Sequence, residues 1–452
     1  MKNNVFNLII RFSFFSILYC LLTSENIFGI LQILFLSFIC ISIIKIINKK
    51  NNAARYLAFS SLILILPLWL PASDFKESLL PSGYQYISIS LISSLIYMVF
   101  SIDKEAGRNS FESFLITATA TLAPTSYISG PSATYKELSN KQAFKFGIPQ
   151  INNLGTTNII LLISGFFRLS VGYFLTTLDV NQIIQGFTLL NLLNIKSFVL
   201  IIILGFYNFW KYYLLFSGAS EICKSVLCSI GINVIDNFNN PESSVFYHQI
   251  WSRWHLNITE RVQNYLYTPI TLYGLRTFSN FNKFLKYIAI EALPIITLFS
   301  ILAIWHGGKP RDFLYGFVST ILTIISRSIS KNNYLNTLLD KFKIFKQIFR
   351  FINLSIFGIC FFIYDFISSN SSYSVLTDFK FSLVLPYIFS SILIYIYFLY
   401  KIHNQEEIKN NGITKTKPNS YFISLEIIAI IFINIYLLPG NEVGSNFIYF
   451  AN

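Results

Sequence analysis

The chain has 452 residues, of which 54% are hydrophobic and only 12% charged, about half of the ~25% that soluble domains carry. Such a composition excludes an ordinary soluble domain, and a closed barrel is excluded as well, because no run of ~10-residue alternating strands occurs. The formal charge of +13 is read as Lys and Arg collected in the cytoplasmic loops of a multi-span protein, so no nucleic-acid partner is expected.

Apolar runs near the ~20 residues that cross a ~30 Å hydrocarbon core recur at 5–22, 27–47, 56–70, 84–101, 158–178, 184–206, 210–230, 284–305, 313–329, 348–367, 381–400 and 421–438. The first, in "MKNNVFNLIIRFSFFSILYCLL", has a basic start but no A-x-A-like cleavage site, so it is expected to be a retained helix. Three basic linkers occur along the chain: "KIINKKNNAAR"; "KEAGR" with Lys136, Lys141 and Lys145; and "SRSISKNNYLNTLLDKFKIFKQIFR". The loops "TSENIF" and "PASDFKESLLP" carry little positive charge. The positive-inside rule then puts the N-terminus and the basic linkers in the cytoplasm of a multi-pass plasma (inner) membrane protein.

Parity demands one adjustment. Loops 102–156 and 231–283 are both basic, yet three apolar segments separate them. The weakest is 210–230, "WKYYLLFSGASEICKSVLCSI", with Glu221, Lys224 and Gly218. Charge at membrane depth is tolerated only inside protein or beside a water-filled cavity, so this segment is expected to be buried or re-entrant. The stretch 111–131, "FESFLITATATLAPTSYISGP", is too broken to span and is expected to dip in as a half-helix. The fold class predicted is an all-α polytopic protein of about eleven spans, one domain over 1–452 with no internal repeat. Cys20, Cys40, Cys223, Cys228 and Cys360 follow no disulfide or zinc spacing and read as small apolar fillers.

Of four histidines, His403 lies in a solvated loop and His248 beside a helix start, where a surface role is expected. His255 and His306 stand in "IWSRWHLNIT" and "AIWHGGKP". Alone, His306 reads slightly better as a ring capping a helix end at headgroup level beside a Trp. The order of phrases weighs against that. "APTSYISGPSATYKEL" (123–138), "GFFRLSVGYFLTTL" (165–178), "FSGASE" (216–221), "NFNNP" (237–241), "IWSRWHLNITERVQNYLYTPI" (250–270) and "IWHGGKPRDFLYGF" (304–317) come in succession.

Together these phrases resemble the membrane-bound O-acyltransferase family, specifically its bacterial branch of alginate O-acetylases and teichoic-acid D-alanyl transferases, over about residues 110–320. W-x-R-W-H followed 51 residues later by W-H-G is the specific part. Departures are visible: Ala219 and Glu221 replace the tyrosine and aspartate of F-S-G-Y-S-D, Gln263 and Asn264 replace R-D before Y-L-Y, and Thr134 replaces an arginine. The resemblance implies a fold with re-entrant elements around a central reaction tunnel. It implies a catalytic role for His306 and a second active-site role for His255. Trp305, Trp254, Arg253, Glu221, Asn237 and Asn239, from the same phrases, are expected to contact substrate.

The implied reaction suits imidazole. A hydroxyl attacking an acyl thioester or ester needs a base, and a neutral ring with pKa ~6.5 accepts that proton and returns it to the leaving group. Neutral His also avoids most of the ~2.5–3.5 kcal/mol that a charge at mid-bilayer costs. Gly307 and Gly308 allow close backbone approach to the developing oxyanion. The expected activity is O-acetylation of an exported or cell-surface polysaccharide, with no bound cofactor or metal. The acyl donor is acetyl-CoA or an acylated carrier protein. The expected partners are the lipid bilayer, a glycan or other hydroxyl acceptor, and an acyl-carrier or secreted acetyltransferase. D-alanyl transfer to an envelope polymer stays open, as does a polysaccharide or lipid transporter, although no inverted repeat supports the latter. Drift of the motifs by itself favours a non-catalytic scaffold.

Overall fold

The computed structural model describes residues 144–145, 148–149, 156–177, 195–229, 236–263, 267–278, 280–305, 310–360, 385–410 and 420–433. The four apolar runs before residue 102, the stretch 111–131 and the phrase 123–138 lie outside them. A two-rung antiparallel ladder, β1 (Phe144–Lys145) with β2 (Ile148–Pro149), precedes the helices. The later elements are all helical: α1 (Thr156–Thr176), α2 (Ile195–Ser229), a 3-10 turn (Pro241–Ser243), α3 (Tyr247–Trp251), α4 (Leu256–Val262), α5 (Thr268–Thr277) and α6 (Lys283–Tyr287). A π-helical turn (Ile288–Ala292) joins α6 to α7 (Leu293–Trp305), and beyond it lie α8 (Pro310–Ser330), α9 (Asn333–Lys341), α10 (Lys343–Cys360), α11 (Leu385–Asn410) and α12 (Ser420–Phe432).

Local chemistry sets several boundaries. Asn282 and Asn332 cap α6 and α9 by accepting from the N–H groups of Leu285 (2.9 Å) and Leu335 (3.2 Å). Pro310 opens α8 at a position whose N–H has no intrahelical partner. Pro294, inside the first turn of α7, cannot donate back along the helix, and the ladder loosens into the π turn just before it.

Four helical stretches are long and apolar enough to cross a membrane: Asn158–Thr176, Phe198–Val226, Lys283–Ala303 and Asp312–Ser330. Three coincide with apolar runs in the sequence. The fourth is a correction: the described parts of the runs 184–206 and 210–230 are not separate elements, because Ile195–Ser229 is one continuous helix. No proline interrupts it, and its polar residues Ser217, Ser220 and Ser225 are buried against protein. The segment is therefore buried, as expected, but not re-entrant. Runs 348–367, 381–400 and 421–438 overlap α10, α11 and α12.

The core is built on α2. Tyr207, Phe209, Trp210 and Tyr213 are fully buried, with Trp210 stacked on Phe398 of α11 at 5.2 Å. α1 packs along one side of α2 and α10 along another. The second crossing depends on glycine: a Cβ on Gly358 would sit 1.8 Å from the Gly205 carbonyl oxygen.

Candidate active site

Two loops meet beneath α2. The Asn239 N–H donates to the Arg253 carbonyl (2.9 Å), and the Leu256 N–H donates to the Asn237 carbonyl (2.8 Å). The phrases "NFNNP" and "WSRWHLN" are thus joined by backbone hydrogen bonds. The Asn237 side chain is buried and locks the pairing: Nδ2 donates to Ser220 Oγ on α2 (3.0 Å), and Oδ1 accepts from the Asn257 N–H (3.2 Å). Arg253 Nη1 donates to the Asn239 carbonyl (3.2 Å) and to Ser243 Oγ (2.8 Å).

The pairing ends at His255. This residue is buried and sits at φ 50°, ψ 52°, immediately before α4. Left-handed backbone is uncommon for a residue with a Cβ, and here it turns the chain from the loop into the helix. The imidazole lies edge-on to Phe216 with centroids 4.7 Å apart. Trp254 faces the other way, into the core, against Phe238 (5.1 Å) and Phe357 (5.0 Å). Its ring is therefore enclosed by packing.

A charged cluster lies next to the loops. Arg168 on α1 pairs with Glu221 on α2 (3.0 Å), donates to the Tyr213 hydroxyl (3.2 Å) and covers the Phe398 ring at 5.1 Å. The phrases "GFFRLSVGYF" and "FSGASE" are thereby also in contact. Beside them Glu242 of the 3-10 turn is fully buried. Burial raises its carboxyl above the usual range, and the charges of Arg168 and Arg253 oppose that rise.

No protein-family model matches the chain. Curated relatives do. It is 24% identical to the teichoic acid D-alanyltransferase of Bacillus subtilis over 199 residues, 43% of this chain and 47% of that protein. It is 28% identical to the "Probable alginate O-acetylase" of Azotobacter vinelandii over 103 residues, 22% of this chain and 18% of that protein. It is 25% identical to the peptidoglycan O-acetyltransferase of Helicobacter pylori over 150 residues, 33% of this chain and 26% of that protein. These relatives are all members of the membrane-bound O-acyltransferase family, to which this chain is similar at modest identity. Its apolar helices, with its likeness to these relatives, mark it as a multi-pass membrane protein. It spans less than half the length of each of these three relatives.

The fold brings Asn237, Asn239, Arg253, Trp254 and His255 into one paired-loop unit, with Glu221 one ion pair away on α2. Trp305 closes α7. His306, Gly307 and Gly308 lie outside the described residues. His248 departs from the surface role expected of it. It is half-buried, and its Nδ1 is 2.9 Å from Ser326 Oγ on α8. Burial, and then the Arg327 charge, push its pKa down to about 4. Glu242 was missed because the family phrase ends at Pro241. Its one signal is an acidic residue directly after that proline. Among the described residues no three His, Cys, Asp or Glu side chains gather as metal ligands.

Proposed function

We propose that this protein is a membrane O-acyltransferase that acetylates hydroxyls of an exported or cell-surface polysaccharide. The observation that carries the reading is the paired-loop unit: two family phrases bonded to each other, with His255 buried in a left-handed turn at their end. A thioester donor, acetyl-CoA or an acylated carrier, enters from the cytoplasm, and the acceptor hydroxyl enters from the outer face. His306 takes the hydroxyl proton as the oxygen attacks the acyl carbon, and returns it to the departing thiolate. His255 holds the reacting groups from the cytoplasmic side. About eleven spans enclose this path, with the N-terminus in the cytoplasm of the plasma membrane. D-alanyl transfer is the second reading, favoured because the teichoic acid D-alanyltransferase of Bacillus subtilis aligns over more of this chain than the two O-acetylating relatives do.

The test is a His306→Ala replacement in the native host, with ester-linked acetate and D-alanine measured on isolated surface polymers. Loss of acetate alone, from a protein that inserts normally, is expected. Loss of D-alanine alone selects the second reading. An unchanged polymer in both respects removes His306 from the mechanism, and altered export of an intact polymer points to transport instead.

A further inference from the structure

Two arginines converge on the 3-10 turn beside the paired loops. Arg253 Nη1 donates to Ser243 Oγ at 2.8 Å, and Arg350 Nε of α10 donates to the Ser243 carbonyl at 3.1 Å. Both residues are partly exposed, and neither makes an ion pair among the described residues. Arg350 also hydrogen-bonds Tyr395 of α11 and makes a long Nη1 contact to Gln347 Oε1 at 3.5 Å. The remaining N–H groups of two forked donors are thus brought to one short turn, with Arg253 only two positions before His255 in the chain.

The charges do not cancel locally. Arg168, Arg253 and Arg350 stand against Glu221 and Glu242, so three positive charges meet two negative ones and one positive charge is left over. Glu221 is taken by Arg168. Glu242 is fully buried beneath the turn beside Tyr213. The excess therefore falls on the exposed pair. Lys343 and Lys346, both on α10, add to the field; Lys346 is partly offset by Asp340 at 3.1 Å.

Paired guanidinium forks with surplus positive charge match an anion with several oxygens, and phosphate above all. A pantetheine thioester carries such a group. Coenzyme A and the prosthetic arm of an acyl carrier both place a phosphate at the far end of the pantetheine chain from the thioester. We propose that Arg253 and Arg350 grip this pantetheine phosphate and so anchor the acyl donor while its thioester end reaches past His255. The inference rests on the thioester-donor reading above. Arg350, which lies beyond the stretch that resembles the family, is on this account a donor-binding residue.

Titration of the detergent-purified full chain with phosphopantetheine and with pantetheine tests the site directly. The phosphorylated probe should bind about tenfold or more tightly, as expected when charge-assisted hydrogen bonds are added. Added salt should weaken its binding and leave pantetheine binding unchanged. Arg350→Gln should abolish the preference without altering pantetheine affinity, and Arg350→Lys, which keeps the charge but loses the fork, should retain part of it. Equal affinity for the two probes, or a preference that survives Arg350→Gln, overturns the proposal. If the Gln variant does not purify, the salt response of the unaltered chain and the Lys variant still decide. Competition by adenosine bisphosphate identifies coenzyme A as the source of the phosphate, and its absence, with phosphopantetheine still preferred, identifies a carrier. Acetyl transfer from S-acetylpantetheine, which has no phosphate, tests the acyltransferase reading separately.

Discussion

At residue scale the left-handed His255 turns a functional question into a measurable one. A non-glycine residue there costs about 1–2 kcal/mol of backbone strain, and its ring buries itself against Phe216. His255→Ala loses the ring and keeps the strain, whereas His255→Gly loses the ring and relieves it. Thermal unfolding in detergent should therefore rank the Gly variant above the Ala variant. If both are inactive, the imidazole is needed for more than holding the turn. Activity recovered in the Gly variant would make His255 structural. His248 gives a pH prediction. Its folded pKa is lowered to about 4, below the ordinary ~6.5. The stability it contributes is thus present above about pH 6.5 and is lost as pH falls towards 4. His248→Asn, which can keep a contact to Ser326, should show a smaller fall in melting temperature between about pH 7 and pH 5. An equal fall would assign the acid sensitivity to other groups.

Among the helices, α2 shows what hydrophobic pattern alone conceals. A run of apolar residues ending near Phe206 and a second starting near Trp210 read as two elements, because Glu221 and Lys224 count as intrusions into a membrane span. The intrusions are partnered: Glu221 pairs with Arg168, and Lys224 pairs with Asp236. A pairing partner distant in sequence cannot be read from the run itself. The apolar lengths of α1, α7 and α8 were legible because large apolar side chains dominate their exposed faces, among them Ile159 and Phe166, Leu293 and Ile296, and Phe313, Phe317 and Ile321. The union of "NFNNP" with "WSRWH" was legible only as order along the chain, since its bonds are between backbone groups. The glycines of α2 and α10 yield a sharper test. Gly358→Ala places a methyl group against the Gly205 carbonyl, which should cost about 1–3 kcal/mol or more through forced separation of the helices. Thermal melting that matches the unaltered protein would show that the two helices do not cross this closely.

For the molecule as a whole, the arrangement of helices turns orientation into a prediction about ends. α6–α7 and α8 run as neighbours, and their far ends are tied by Lys331 to Glu291 (2.9 Å) and by Arg327 to the Tyr267 hydroxyl (2.7 Å). Residues 267–287 and 331–350 therefore share one end of the bundle, as do the 3-10 turn and Arg350. The loops 231–283 and 330–347, judged from charge alone to lie on one side, are joined in the structure. Among the described residues, α1 and the continuous α2, two helices rather than three, lie between residues 156 and 229. That shared end is rich in Lys and Arg, including Lys283, Lys286, Lys341, Lys343 and Lys346, which the positive-inside rule assigns to the cytoplasm. Single cysteines at Lys283 and Lys341, in a background lacking the native cysteines, should react with a membrane-impermeant maleimide only after the cells are opened. Labelling of both from outside would invert the molecule and move donor entry to the opposite face. Labelling of only one would break the shared end on which the arginine pair and the paired loops depend.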